Sequence, residues 1–306
     1  MIYIIIIIGL CWCLFFSRNP KVGEYIYLIN SRIERKLASL HLFRHQQGDN
    51  TYIYYSNANK TKPTMLLLHG FSADKDIWLK FAKYAKDDYN LIIPDLLGHG
   101  EMPYFSENNY SAFKQATHIE ALISDLNIKG EVIIVGNSMG GMISAILAQN
   151  YVSCASKPNY TISKISLLDP AGASTNFAKV LAEEGKIPFE HNSSASVFEF
   201  FKLSMHSPPF VPPAVLSYIA EEKYLALREQ LKHMFIDFFN IDEFFVDPFQ
   251  LNDMEVQLIW GEFDGLLPLS EAEAWEQLLD KKALVLKDIG HMPMVECPKQ
   301  TYNYIN

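Results

Sequence analysis

Gly136-Asn137-Ser138-Met139-Gly140 lies between a β-rich apolar run, Glu131 to Val135, and a helical pattern of small apolar residues, Met139 to Asn150. Turning from strand to helix in so few residues forces the corner residue into a strained backbone conformation, and the flanking glycines remove Cβ atoms that would collide. The corner side chain is left exposed, as a serine nucleophile requires. An idle serine in a glycine-rich turn shares the letters, so the placement after a strand and before a helix carries the signal.

Around this turn, short β-rich runs alternate with helical patterns, the signature of a sheet built by crossover connections. Strands are expected at residues 51–56, 64–68, 91–93, 131–135, 164–168, 255–260 and 283–286, with helices over 76–86, 111–126, 139–150, 270–279 and from Pro298. Thr64 to Leu68 is apolar throughout, as in a strand covered on both faces. From about Ala171 to Gln250 helical stretches are broken by Pro208-Pro209 and Pro212-Pro213, and no strand pattern is evident. The expected class is α/β: a mostly parallel sheet with helices on both faces, its core made from 46–170 and 251–306, interrupted by a helical cap at 171–250.

The amino terminus is set apart. Ile2 to Phe16 is an almost unbroken apolar run of about 15 residues, short of the roughly 20 that span a bilayer. A secretory signal would carry cations before the run and small residues at a cleavage site, whereas bulky Cys13, Leu14, Phe15 and Phe16 end this one. An uncleaved membrane anchor is therefore expected, with export by a signal peptide as the alternative. Arg18, Lys21, Arg32, Arg35 and Lys36 follow the run, which puts the remaining chain on the cytoplasmic side. Residues 18–45 read as a linker with an amphipathic helix. Its stripe of Val22, Tyr25, Ile26, Ile29, Ile33, Leu37 and Leu40 could lie on a membrane, but is expected to pack on the folded domain.

A net charge of -9 leaves no basic field for a phosphate backbone, so nucleic acid is not an expected partner. Cys11, Cys13, Cys154 and Cys297 have neither metal-ligand spacing nor a disulfide framework, and read as buried thiols, although Cys11 and Cys13 are also placed for acylation.

A neutral serine hydroxyl needs a base, and histidine is suited to that task near neutrality. Of nine histidines the candidate is His291, in the loop after the last expected strand, where a side chain can reach over the sheet's carboxyl edge. The acid that fixes its tautomer is assigned to Asp264, after the strand 255–260, giving the chain order Ser, Asp, His. Asp169, after the preceding strand, is the rival acid. Two backbone N–H groups should face the developing oxyanion, from Met139 and from Phe71 after His69-Gly70. His69 and His99 are expected to organise loops rather than to act in chemistry.

These segments resemble a known family. Residues 66–76 (Leu-Leu-Leu-His-Gly-Phe-Ser-Ala-Asp-Lys-Asp), 94–100 (Pro-Asp-Leu-Leu-Gly-His-Gly), 136–141, 260–264 (Trp-Gly-Glu-Phe-Asp) and Gly290-His291 are similar to motifs of membrane-anchored monoacylglycerol lipases and related bacterial lipase/esterases of the α/β-hydrolase superfamily. The resemblance implies cleavage of lipid-like carboxylic esters, with medium- or long-chain monoglycerides foremost. About a dozen of the 20 phenylalanines fall in the cap, and Phe198, Phe201, Phe235 and Phe238, with Phe71 and Met139, are expected to contact substrate. No metal or cofactor is needed for an acyl-enzyme route. Carbon–carbon bond hydrolases of dienoic acids are the rival class, sharing Gly-Asn-Ser-Met-Gly-Gly and a helical cap. Their carboxylate-bearing substrates need a fixed cation, yet the cap has Arg228 as its one arginine, and Met292 stands where those enzymes carry Trp. Dehalogenases and epoxide hydrolases resemble one another in placing Asp where this chain has Ser138. A non-catalytic binding homologue is disfavoured by the complete Ser, Asp and His set.

Overall fold

The computed structural model describes residues 17–306 apart from 49, 186, 252 and 253. The expected anchor, with Cys11 and Cys13, lies outside the described residues. Eight strands, β1 (His41–Gln47), β2 (Asn50–Ser56), β3 (Thr64–Leu68), β4 (Asn90–Pro94), β5 (Gly130–Asn137), β6 (Tyr160–Leu168), β7 (Glu255–Gly261) and β8 (Leu284–Leu286), form one sheet. Their spatial order is β1-β2-β4-β3-β5-β6-β7-β8, antiparallel for β1–β2 and β2–β4 and parallel for every other pairing.

Helix α1 (Pro20–Leu37) precedes the sheet, and α2 (Leu79–Ala85), α3 (Ala112–Asp125) and α4 (Met139–Ser153) connect its parallel strands. Between β6 and β7 come α5 (Asn176–Glu183), α6 (Ser194–Ser204), α7 (Pro213–Tyr218), a π-helical segment Ile219–Leu225, and α8 (Arg228–Phe238). Then α9 (Ala272–Leu279) joins β7 to β8, and α10 (Pro293–Glu296) and α11 (Pro298–Ile305) close the chain.

Alternation along β3 explains why that strand is apolar throughout. Met65 and Leu67 point to one face, packing with Trp78, with Phe81 of α2 and with Tyr302 of α11. Leu66 and Leu68 point to the other, into a larger core with Ile119 and Leu122 of α3 and Ile143 and Ile146 of α4. That second core continues into the segment between β6 and β7 through Phe200, Phe235 and Phe238, so the two share apolar packing.

Four expectations change. Residues 41–45 belong to strand β1, not to a helical linker: β1 pairs antiparallel with β2 from His41↔Ser56 to Gln47↔Asn50. Its mixed exposure gives no clean two-residue period, and the hairpin partner rather than the pattern makes it a strand. The helix expected at 76–86 opens instead as a tight turn at Lys75–Trp78, with Asp74 as N-cap, before α2.

The third concerns α1, whose apolar stripe was expected to pack. Of that stripe Leu40 is buried and Val22 and Ile26 are half-buried, but Tyr25, Ile29, Ile33 and Leu37 are exposed, as is Leu28, and the helix packs mainly through Gly23, Tyr27 and Ser31. A Cβ at Gly23 would lie 1.9 Å from the Ala214 carbonyl oxygen of α7, so the missing side chain is what allows the two helices to meet. Cys154, expected to be a buried thiol, is exposed, and Cys297 is half-buried.

Candidate active site

Five loops leave the carboxyl ends of neighbouring strands at one rim: His69 after β3, Ser138 after β5, Asp169 after β6, Asp264 after β7 and His291 after β8. Ser138 sits at φ 55°, ψ -117°, the corner strain anticipated from its flanking glycines. A Cβ on Gly136 would come 2.1 Å from the Gly140 carbonyl oxygen, and one on Gly140 would come 2.3 Å from that of Leu68. The turn is therefore closed to any other residue at either position.

His291 and Asp264 are both buried, and His291 Nδ1 lies 2.6 Å from Asp264 Oδ2. The other oxygen of Asp264 accepts the N–H groups of Leu266 and Leu267 at 2.8 and 2.9 Å, which fixes the carboxylate's orientation. With Nδ1 donating to a carboxylate, Nε2 is the nitrogen left to act as a base. His291 and Ser138 line the same cavity.

Met139 occupies the first position of α4, where a helix has no acceptor for its N–H. Among the described residues, no hydrogen-bond acceptor is paired with the N–H of Phe71. The loop that carries it rests on two neutral histidines. His69 Nδ1–H donates to the Gly70 carbonyl at 2.8 Å while Nε2 accepts from Leu96 N–H at 3.0 Å, so both ring nitrogens are committed to loop structure. Burial, and then the neighbouring His99, hold His69 down at about 3. His99 Nδ1–H donates to the Leu97 carbonyl, its ring lies 5.3 Å from that of Phe71, and burial lowers it to about 4.

The cavity measures about 710 Å³ and its wall is mostly apolar. Phe71, Phe198 and Phe201 line it, and so do Phe189 and Phe200. Phe235 and Phe238, expected at the substrate, instead pack behind Phe71 at ring distances of 5.4 and 5.8 Å; the Met139 side chain is fully buried and also off the wall.

One part of the wall is polar. Lys223 Nζ meets Asp74 Oδ2 at 2.5 Å and Tyr27 Oη at 2.8 Å, and Tyr27 in turn donates to Asp76. Burial alone would raise Asp74, but the Lys223 ammonium overrides it and holds the carboxyl well below its usual range. Lys223 is thus neutralised by Asp74; Lys202, paired with Glu199, and Lys80 also line the cavity, whereas Arg228 is half-exposed, off the wall and paired with Glu229.

Three positioning residues escaped the sequence reading. Asn137 Nδ2 donates to the carbonyls of Leu168 and His291 at 3.1 and 2.9 Å, tying three loops together. Glu296 accepts from Gly290 N–H at 3.0 Å and from Ser207 N–H at 2.7 Å, bracing the His291 loop from below. Lys75 is buried against Asp95 at 2.6 Å, beneath the Phe71 loop. Asn137, Lys75 and Asp95 lie inside motif segments and could have been singled out; the partners of Glu296 are loop contacts without a sequence signal.

A family model described as alpha/beta hydrolase fold matches residues 63–298. Lipase 3 of Moraxella sp. (strain TA144) is 30% identical over 257 residues, covering 82% of this chain and 78% of that protein. The monoacylglycerol lipase ABHD6 of Mus musculus is 26% identical over 258 residues, covering 80% and 74%. In structure, the chain is similar to a membrane phospholipase A described as a bacterial virulence factor, with TM-score 0.80, 24% identity, and coverage of 99% and 94%.

Proposed function

This chain belongs to the alpha/beta hydrolase fold family, and from that premise we propose that it is a serine hydrolase of lipid-like carboxylic esters, monoacylglycerols foremost. The observation that carries the reading is a strained Ser138 sharing a mostly apolar cavity with a histidine whose Nδ1 is 2.6 Å from a buried aspartate. The relatives that bear lipase and monoacylglycerol lipase names support the ester class.

His291 Nε2 takes the Ser138 proton as the oxygen attacks the ester carbonyl, and Asp264 stabilises the imidazolium that forms. The N–H groups of Phe71 and Met139 receive the oxyanion, and removing one such donor typically costs about 100- to 1000-fold in rate. His291 then protonates the departing alcohol, and water activated by the same imidazole releases the acid. The acyl chain lies along Phe198, Phe200 and Phe201.

Ser138→Ala should abolish ester turnover and capture by a fluorophosphonate; labelling that persists would place the nucleophile elsewhere. Beside it, rates on p-nitrophenyl esters and monoglycerides should rise with acyl length. Activity confined to a dienoic acid would instead support carbon–carbon hydrolysis, a reading disfavoured by the cap's one arginine, Arg228, which is paired with Glu229 and does not line the cavity.

The same reading places the protein at a membrane, with residues 2–16 as anchor and the enzyme on the cytoplasmic side. Among the described residues no helix is long and apolar enough to cross a membrane. Support comes from α1, which directly follows the apolar run and exposes Tyr25, Leu28, Ile29, Ile33 and Leu37, while its Tyr27, Ser31 and Glu34 line the cavity.

A further inference from the structure

Asp169, the acid not assigned to the imidazole, is fully buried at the end of β6 and held in place by a left-handed backbone, φ 45°. Its Oδ1 accepts the Gly261 N–H at 2.7 Å, which fixes the carboxyl beside β7. Oδ2 is buried and has no hydrogen-bond donor among the described residues. One side-chain atom each of Asp169, Asp264 and His291 lie within 4.8 Å of one another.

Two carboxylates so close and so dry cannot both ionise cheaply, so one keeps a proton. Asp264 has three donors, from His291 Nδ1, Leu266 and Leu267, and Asp169 has one. The charge therefore settles on Asp264. The groups facing Asp169 from the packed elements are Asp264 after β7, His291 after β8, Glu296 of α10 and Cys297 next to it, with no cation among them.

Resting on the Ser138, His291 and Asp264 reading above, we propose that Asp169 is a positioning residue that carries a proton on its unpaired oxygen and directs it at Asp264. Burial first, and the Asp264 charge second, push the Asp169 carboxyl well above the usual carboxylate range. The arrangement has a chemical purpose. Two anions beside one imidazole would hold it as imidazolium and block its use as a base, while a neutral acid lends Asp264 a fourth hydrogen bond without adding charge.

Infrared difference spectra and pH–rate profiles test this on the intact chain. At neutral pH the wild type should show a protonated-carboxyl carbonyl band that vanishes in Asp169→Asn and changes frequency in Asp264→Asn, where the acceptor differs. Asp169→Asn, which can donate the same hydrogen bond, should leave the acid limb of kcat/KM in place; Asp169→Ala, which cannot, should lower kcat about ten- to hundred-fold with KM little changed. Absence of the band, or an acid limb moved down by about one unit or more in Asp169→Asn, would mean an ionised Asp169 and overturn the proposal. Failure of the underlying reading would look different: Ser138→Ala would still hydrolyse esters.

Discussion

At the scale of single residues, the loops around the nucleophile depend on buried histidines that are neutral, and in His69 both ring nitrogens are committed. His69 is the clearest case, since protonating Nε2 would destroy its bond from Leu96 N–H and place a cation in a dry site beside His99. Free histidine titrates near 6.5 in the unfolded chain, whereas burial puts His69 near 3 and His99 near 4 when folded. Between about pH 6.5 and these values the unfolded state binds more protons, so the stability these residues contribute is full above pH 6.5 and is lost as pH falls through that window. The imidazole NMR signals of His69 and His99 should accordingly stay in the neutral form from pH 7 to 5. Midpoints near 6.5 for either ring would contradict the loop role assigned to it.

Among elements, α1 inverts the usual reading of an amphipathic helix. Its apolar side faces out, while Gly23 and Ser31 face in, because close approach to the α7 backbone needs an absent side chain rather than a greasy one. Intrinsic propensity says that Gly23→Ala should stabilise a helix by about 0.8–1 kcal/mol. The 1.9 Å approach to Ala214 predicts the opposite sign: a lower Tm, and faster proteolytic cutting between α1 and β1. A variant more stable than the parent would show that α1 is not seated on α7. The same contact explains why the cavity wall includes α1, for Tyr27 reaches Asp76 and Lys223 only when the helix is this close.

For the molecule as a whole, the proposed membrane attachment makes a prediction, since the exposed apolar residues of α1 lie on the helix whose Tyr27, Ser31 and Glu34 line the cavity. Deleting residues 1–17 should move most of the protein from membrane to soluble fractions while hydrolysis of a short, water-soluble ester persists. Unchanged partitioning would remove the anchor from the account, and recovery of a shortened chain outside the cell would favour export.

What the sequence determined on its own is what local spacing can encode. The glycines around Ser138 demanded a tight strand-to-helix corner, and the continuous apolar run at Thr64 to Leu68 demanded a strand covered on both faces, whichever partners the chain found. Asp264 and His291 were legible as residues just past strands, since turn residues and chain order mark such places. Only the tertiary structure decided which acid met the imidazole, which phenylalanines reached the cavity, that β1 was a strand, and which side of α1 was buried. Each of these depends on contacts between segments distant along the chain. Asp169 and Asp264 end adjacent strands with similar local sequence signals, and the few ångströms separating their roles exist only once β6, β7 and β8 lie side by side.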